Sequence, residues 1–228
     1  MTELKILWTS SEVTVWHASL KQDPDLIEPV LSAADRERSL SYSDPKLRRR
    51  FIVRRGLLRG LLAERLDCWP GSVELEYDAR GKLHVAGDLV QISVASSREK
   101  ALFAISSTRP VGVDIEMAEF EFPFKVMLKD YFSGRERDWL SALPEAERFL
   151  RFFQAWTRKE ACAKALGEGL AYPFTTLEVT GDLGPPPGLE VTSLPQPELF
   201  YFAAVAVSSR HDRDGHENHG RDAHATPD

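Results

Sequence analysis

Two stretches of helical periodicity, each set among short β-rich segments, constrain this chain more than any other feature. In residues 50–66 (RFIVRRGLLRGLLAERL), Phe51, Arg54/Arg55, Leu58, Leu61/Leu62 and Leu66 recur three or four residues apart, the spacing of one helix face. Residues 144–166 return to that period, and a shorter helical pattern begins at about residue 33. Around them lie apolar or alternating runs of strand length at 5–8, 13–20, 90–94, 101–105, 111–116, 177–180, 189–191 and 199–207. A hairpin is expected where VELEY and LHV flank the turn Asp78-Ala79-Arg80-Gly81-Lys82. The order β-rich, long helix, β-rich thus occurs twice. It predicts an α+β protein of two similar α+β halves, residues 1–110 and 111–207, although the halves share no obvious sequence repeat.

Residues 208–228 (SSRHDRDGHENHGRDAHATPD) offer almost no large apolar side chain to offset the entropy of ordering, and a disordered tail is expected there. The tail holds His211, His216, His219 and His224, whose spacings match no defined metal site. With 43% hydrophobic and 28% charged residues, the chain has the composition of an ordinary globular protein. No run approaches the roughly 18 apolar residues of a membrane span, and the N-terminus lacks the pattern of a secretory signal, so the chain reads as cytoplasmic. Cys68 and Cys162 lie far apart without metal-ligand spacing and are expected as reduced thiols.

A net charge of −6 argues against nucleic acid as the partner. Yet Lys46, Arg48, Arg49, Arg50, Arg54, Arg55 and Arg59 follow one another without an acid, a local basic face that suits a small, highly phosphorylated ligand as well as a polynucleotide backbone. In VGVDIE, Asp114 and Glu116 stand two apart in a strand and project from one face, with Val113 and Ile115 turned the other way. In WTRKEACAKALG, Trp156, Glu160 and Lys164 recur every four residues and form one helical stripe, ended by Gly167 and Gly169, which permit a tight turn. Each pair alone is a common solvated arrangement. Together, three carboxylates converging from a strand and a helix would make an oxygen-only site for a hard cation such as Mg²⁺, which pairs with substrate phosphates.

The ordered motifs carry a resemblance. Arg50 to Arg59 (RFIVRRGLLR), the turn Gly81-Lys82, the strand Gly112-Val113-Asp114-Ile115-Glu116, the segment Phe132-Ser133-Gly134-Arg135-Glu136 and the ungapped WTRKEACAKALGEGL of residues 156–170 follow in the order found in Sfp-type 4'-phosphopantetheinyl transferases. The chain resembles that family from about residue 35 to 174. The resemblance implies a pseudo-twofold fold of two α+β halves with coenzyme A between them. It also implies transfer of the phosphopantetheine arm to a serine of an apo acyl or peptidyl carrier protein, with release of 3',5'-ADP; with both halves paired inside one chain, a monomer is expected. It assigns Asp114, Glu116 and Glu160 to Mg²⁺, with Mn²⁺ as the alternative ion, and Glu160, Lys164 and Asp114 to catalysis. By position it places Arg38, Arg55, Arg80, Gly81, Lys82, Ser96, Ser97 and Lys164 on coenzyme A.

Two departures stand out. Where the family has a phosphate-contacting histidine in a Phe-Asn-x-Ser-His-Ser strand, this chain reads Ile92-Ser93-Val94-Ala95-Ser96-Ser97, with Ser96 at the histidine position. Leu83 replaces the usual proline after Gly-Lys. A neutral hydroxyl makes a hydrogen bond about half as strong as a charge-assisted one, so weakened or altered coenzyme A binding is expected. The alternative is a non-catalytic relative that binds coenzyme A or a carrier protein.

Overall fold

The computed structural model describes residues 4–180 and 184–209. The chain runs β1 (Leu4–Thr9), β2 (Val13–Ser19), α1 (Ala33–Leu40), α2 (Pro45–Leu66), β3 (Leu75–Tyr77), β4 (Leu83–Val85), β5 (Gln91–Ser97) and β6 (Lys100–Ser106). It continues through β7 (Val111–Met117), α3 (Phe124–Tyr131), α4 (Gly134–Ala142), α5 (Glu145–Ala165), β8 (Leu189–Ser193) and β9 (Tyr201–Ser208). Three antiparallel sheets result, ordered β1-β2-β6-β5, β3-β4 and β7-β9-β8. This mixture of helices and separate antiparallel sheets is an α+β architecture.

Strand alternation sets the layers. On β6, Ala101, Phe103 and Ile105 pack with Val53, Leu57, Leu58 and Leu62 of α2, while Leu102 and Ala104 face the other way. That second face meets Val111, Val113 and Ile115 of β7 and Ala203, Val205 and Val207 of β9, so the two larger sheets share a core. The far side of β9, Ala204 and Ala206, is covered by Ala161, Cys162 and Ala165 of α5. Between the sheets β5 lies beside β7, and serine hydroxyls bridge them. Ser93 Oγ accepts from Val113 N at 3.0 Å and Ser97 Oγ from Met117 N at 3.1 Å.

Helix α2 begins five residues before the apolar period does, because Asp44 caps it, accepting from Lys46 N at 2.7 Å, and Pro45 takes the first turn. The strand expected at 177–180 is absent. Leu177 and Val179 are buried against α5, but Val179 N donates to Glu136 Oε1 at 3.0 Å, and the carbonyls of Leu177 and Val179 accept from Lys159 and Arg158. Those backbone groups are satisfied by side chains, which leaves no ladder to form. Helix α4 opens with a capping box between Ser133 and Glu136, the conformational reason for that Ser-x-x-Glu spacing. At the C-terminus, Ser208 closes β9 and Ser209 N bonds to Gly188 O at 2.7 Å, two residues into the expected tail. The rest of that tail, with its four histidines, lies outside the described residues.

Candidate active site

Gly112 decides how closely strand and helix approach. A Cβ there would lie 2.0 Å from Ala161 O and 2.4 Å from Ala165 N, so the backbone of α5 rests directly on β7. Alternation then turns Asp114 and Glu116, on the same face as Gly112, toward the helix that carries Glu160 and Lys164. The rotation of α5 is fixed next door. Lys159 is fully buried, pairs with the equally buried Glu136 Oε2 at 2.6 Å, and donates to Phe174 O at 2.8 Å and to Leu177 O.

The acids that sequence spacing left on two separate faces therefore meet in a buried site. Asp114 is 4% exposed and Glu160 9%. Lys164 Nζ donates to Asp114 Oδ1 at 2.5 Å, while Asp114 Oδ2 is buried with no hydrogen-bond partner among the described residues. Glu116 Oε2 accepts from Ser97 Oγ at 2.9 Å. Burial pushes the Glu116 carboxyl up to about 7, assisted by the charge of Asp114. Burial likewise raises Glu160 to about 7, against the pull of Lys164. Burial works to lower Lys164, but Asp114, Glu160 and Glu116 together hold it above its ordinary value, so it remains a cation. Asp114 is raised by burial despite Lys164.

A cleft of about 300 Å³ leads to this centre. Its walls are Arg54, Arg55 and Leu58 of α2, Tyr77, the β3–β4 turn with Arg80, Gly81 and Lys82, and the end of α5 at Lys164, Gly167 and Gly169. Gly81, Gly167 and Gly169 all have positive φ, which lets both turns fold tightly around the cleft. Asp78 shapes the first turn, its Oδ1 accepting from Arg80 N and Lys82 N, each at 2.8 Å.

A profile of the 4'-phosphopantetheinyl transferase superfamily matches residues 110–215, the stretch that contains β7 and α5. Over 170 residues the chain is 34% identical to 4'-phosphopantetheinyl transferase HetI of Nostoc sp., covering 71% of this chain and 71% of that protein. The chain belongs to the 4'-phosphopantetheinyl transferase superfamily. It is also 30% identical over 120 residues to 4'-phosphopantetheinyl transferase gsp of Aneurinibacillus migulanus, spanning 53% of this chain and 49% of that one. The human L-aminoadipate-semialdehyde dehydrogenase-phosphopantetheinyl transferase is 26% identical over 143 residues, 57% of this chain and 45% of that one.

In this member of the superfamily the sequence-assigned residues divide into two groups. Asp114, Glu116, Glu160 and Lys164 gather at the strand–helix contact, and Ser97 belongs with them through Glu116 rather than with the cleft lining. Arg55, Arg80, Gly81, Lys82 and Lys164 line the cleft. Arg38 stacks over the ring of Tyr77, 4.6 Å from its centroid, and Arg55 Nη2 donates to Tyr77 Oη at 2.6 Å. Among the described residues, no group of three or more His, Cys, Asp or Glu is disposed to hold a metal ion as the side chains stand. The expected triad is thus not drawn into a closed chelate, and Lys164 supplies the positive charge at Asp114.

The basic face expected along α2 is revised as well. Arg49 and Arg50 pair with Glu99 at 2.9 and 2.7 Å, and Arg55 and Arg59 pair with Asp35 in the protein interior. Both acids come from outside the helix, which is why the run looked unopposed in sequence. Tyr77 and Arg54 are among the cleft residues that sequence reasoning did not assign to the site, although Arg54 stood in the basic run and in the Arg50 to Arg59 motif.

Proposed function

We propose that the chain transfers the 4'-phosphopantetheine arm of coenzyme A to a serine hydroxyl of an apo acyl or peptidyl carrier protein, releasing 3',5'-ADP. The observation that carries this reading is a cation-lined cleft ending at Lys164, where three carboxylates gather beneath α5. Membership of the superfamily supports the same reaction.

Asp114, Glu116 and Glu160 offer only oxygen donors, and the orphaned Asp114 Oδ2 and the raised Glu116 and Glu160 fit a site awaiting positive charge. These three residues would hold Mg²⁺, or Mn²⁺ in its place. Such an ion, when bound, neutralises charge on phosphate oxygens. Glu160 takes the proton of the carrier serine; a carboxyl near 7 is matched to proton transfer at neutral pH. The serine oxygen forms a bond to the β-phosphorus as the bond to the bridging oxygen breaks. Lys164, kept protonated by its carboxylate neighbours, donates to the phosphate of the departing 3',5'-ADP. Arg38, Arg55, Arg80 and Lys82 hold the nucleotide and its phosphates.

The same reading takes residues 1–110 and 111–207 as two halves related by a pseudo-twofold axis, supported by one long helix on each large sheet, α2 and α5. Both substrates and both halves are then served within a cytoplasmic monomer. No helix among the described residues is long and apolar enough to cross a membrane.

Mass spectrometry of a panel of apo carrier proteins, incubated with the chain, coenzyme A and Mg²⁺, tests the reaction. A phosphopantetheine mass gain on at least one carrier, abolished by Glu160→Ala, is the expected result. Coenzyme A binding with no mass gain on any carrier would favour the non-catalytic reading, which the Lys164–Asp114 pair and the missing histidine at Ser96 motivate.

A further inference from the structure

The fold sorts the arginines of α2 by partner. Arg49 and Arg50 share Glu99, and Arg55 and Arg59 share Asp35. Arg54 differs. Among the described residues no carboxylate lies within 4.0 Å of it, and its Nη1 donates to Ser96 Oγ at 2.7 Å. It lines the cleft beside Arg55, Arg80 and Lys82. Burial lowers its pKa, with Arg55 and Arg38 repelling it and Tyr42 and Tyr77 opposing the shift. A half-buried guanidinium held by a neutral hydroxyl keeps its charge available to pair with an anion. Its remaining N–H groups form the planar fork that matches a phosphate monoester.

We propose that Arg54 is a specificity-determining residue that binds the 3'-phosphate of coenzyme A, with Ser96 as the positioning residue that aims its guanidinium into the cleft. The assignment rests on the transferase reading above. In that reading the diphosphate lies at Lys164 and the carboxylates, on the side of the cleft formed by α5. Arg54 and Arg80 come from α2 and the β3–β4 turn, which together supply the charge density that a doubly ionised monoester requires. Ser96 thereby changes meaning. In sequence it stands for a missing phosphate ligand; in the structure it seats a permanent cation that binds the phosphate in the histidine's place. Coenzyme A binding is then retained rather than weakened.

The test compares coenzyme A with dephospho-coenzyme A, which lacks only the 3'-phosphate, by calorimetric titration and by KM in the transfer assay. Arg54→Gln weakens coenzyme A about tenfold or more, the scale of one charge-assisted hydrogen bond. Binding of dephospho-coenzyme A falls far less, so the wild-type preference between the two ligands collapses. Arg54→Lys retains part of the preference, and Ser96→Ala reduces it less than Arg54→Gln does. Folding of each variant is checked by its melting curve; Arg54→Lys keeps the charge and decides the matter if Arg54→Gln does not fold. An unchanged preference in the folded variants, or an equal loss for both ligands, overturns the role of Arg54. Failure of the wild-type chain to bind either ligand overturns the transferase reading itself.

Discussion

Replacing Gly112 by alanine puts a methyl group where the backbone of α5 already lies. The new Cβ would sit 2.0 Å from Ala161 O, 2.4 Å from Ala165 N and 2.9 Å from Lys164 Cβ. Ordinary contact begins near 3.4 Å, so helix and strand must part by roughly an ångström. Overpacking costs about 1–3 kcal/mol where side chains can adjust. Here the obstacle is the main chain of a helix anchored by the buried Lys159–Glu136 pair, which puts the cost near 3 kcal/mol, the top of that range. For a domain of this size that corresponds to a melting temperature lower by about 6–12 °C. The displacement also separates Asp114 and Glu116 from Glu160 and Lys164, so transfer activity falls even at temperatures where the variant stays folded. Circular dichroism melting and the carrier assay measure the two effects. Gly60→Ala is the matched control, since Gly60 lies exposed within α2 with nothing within 4 Å of a new Cβ. It stabilises the helix by about 0.5–1 kcal/mol. A Gly112→Ala protein with wild-type melting and activity would refute the close strand–helix packing from which the site is built.

Lys159→Met leaves Glu136 buried without its partner and lowers stability by about 3–5 kcal/mol in urea unfolding; the Lys159→Met/Glu136→Leu pair recovers part of that loss, and equal damage from single and double variants would contradict the ion-pair account. The raised Glu116 and Glu160 carboxyls bind protons in the folded, metal-free protein at pH values where the unfolded chain has released them. Stability from these groups is therefore lost as pH rises through about 7 and regained toward 4.5. The melting temperature in chelator is expected to climb between pH 8 and pH 5.5, a rise that the Glu116→Gln/Glu160→Gln variant lacks; an unchanged slope in that variant would show that other groups govern it.

Much of the site was legible in the chain because strand and helix periods are local geometry. The two-residue step from Asp114 to Glu116 and the four-residue step from Glu160 to Lys164 assign each pair to a face before any packing is known. Helix α2 and the Asp78–Lys82 turn were read for the same reason. What failed was long-range. The apolar run 177–180 has strand composition, but its polar main chain is taken up by Glu136, Arg158 and Lys159. The basic run of α2 looked like one charged face until Glu99 and Asp35 came to meet it from elsewhere.

By itself, then, the sequence determined the α+β element order, the two pairs of reactive side chains and the family to which they belong, since these depend on neighbours a few residues apart. Only the tertiary structure decided that β7 and α5 touch through Gly112, that burial pushes Glu116 and Glu160 up to about 7, and that Arg54, of its helix's cleft-lining arginines, faces the cleft with no acid beside it among the described residues. Desolvation and charge pairing depend on which distant segments share a volume, and no local spacing records that.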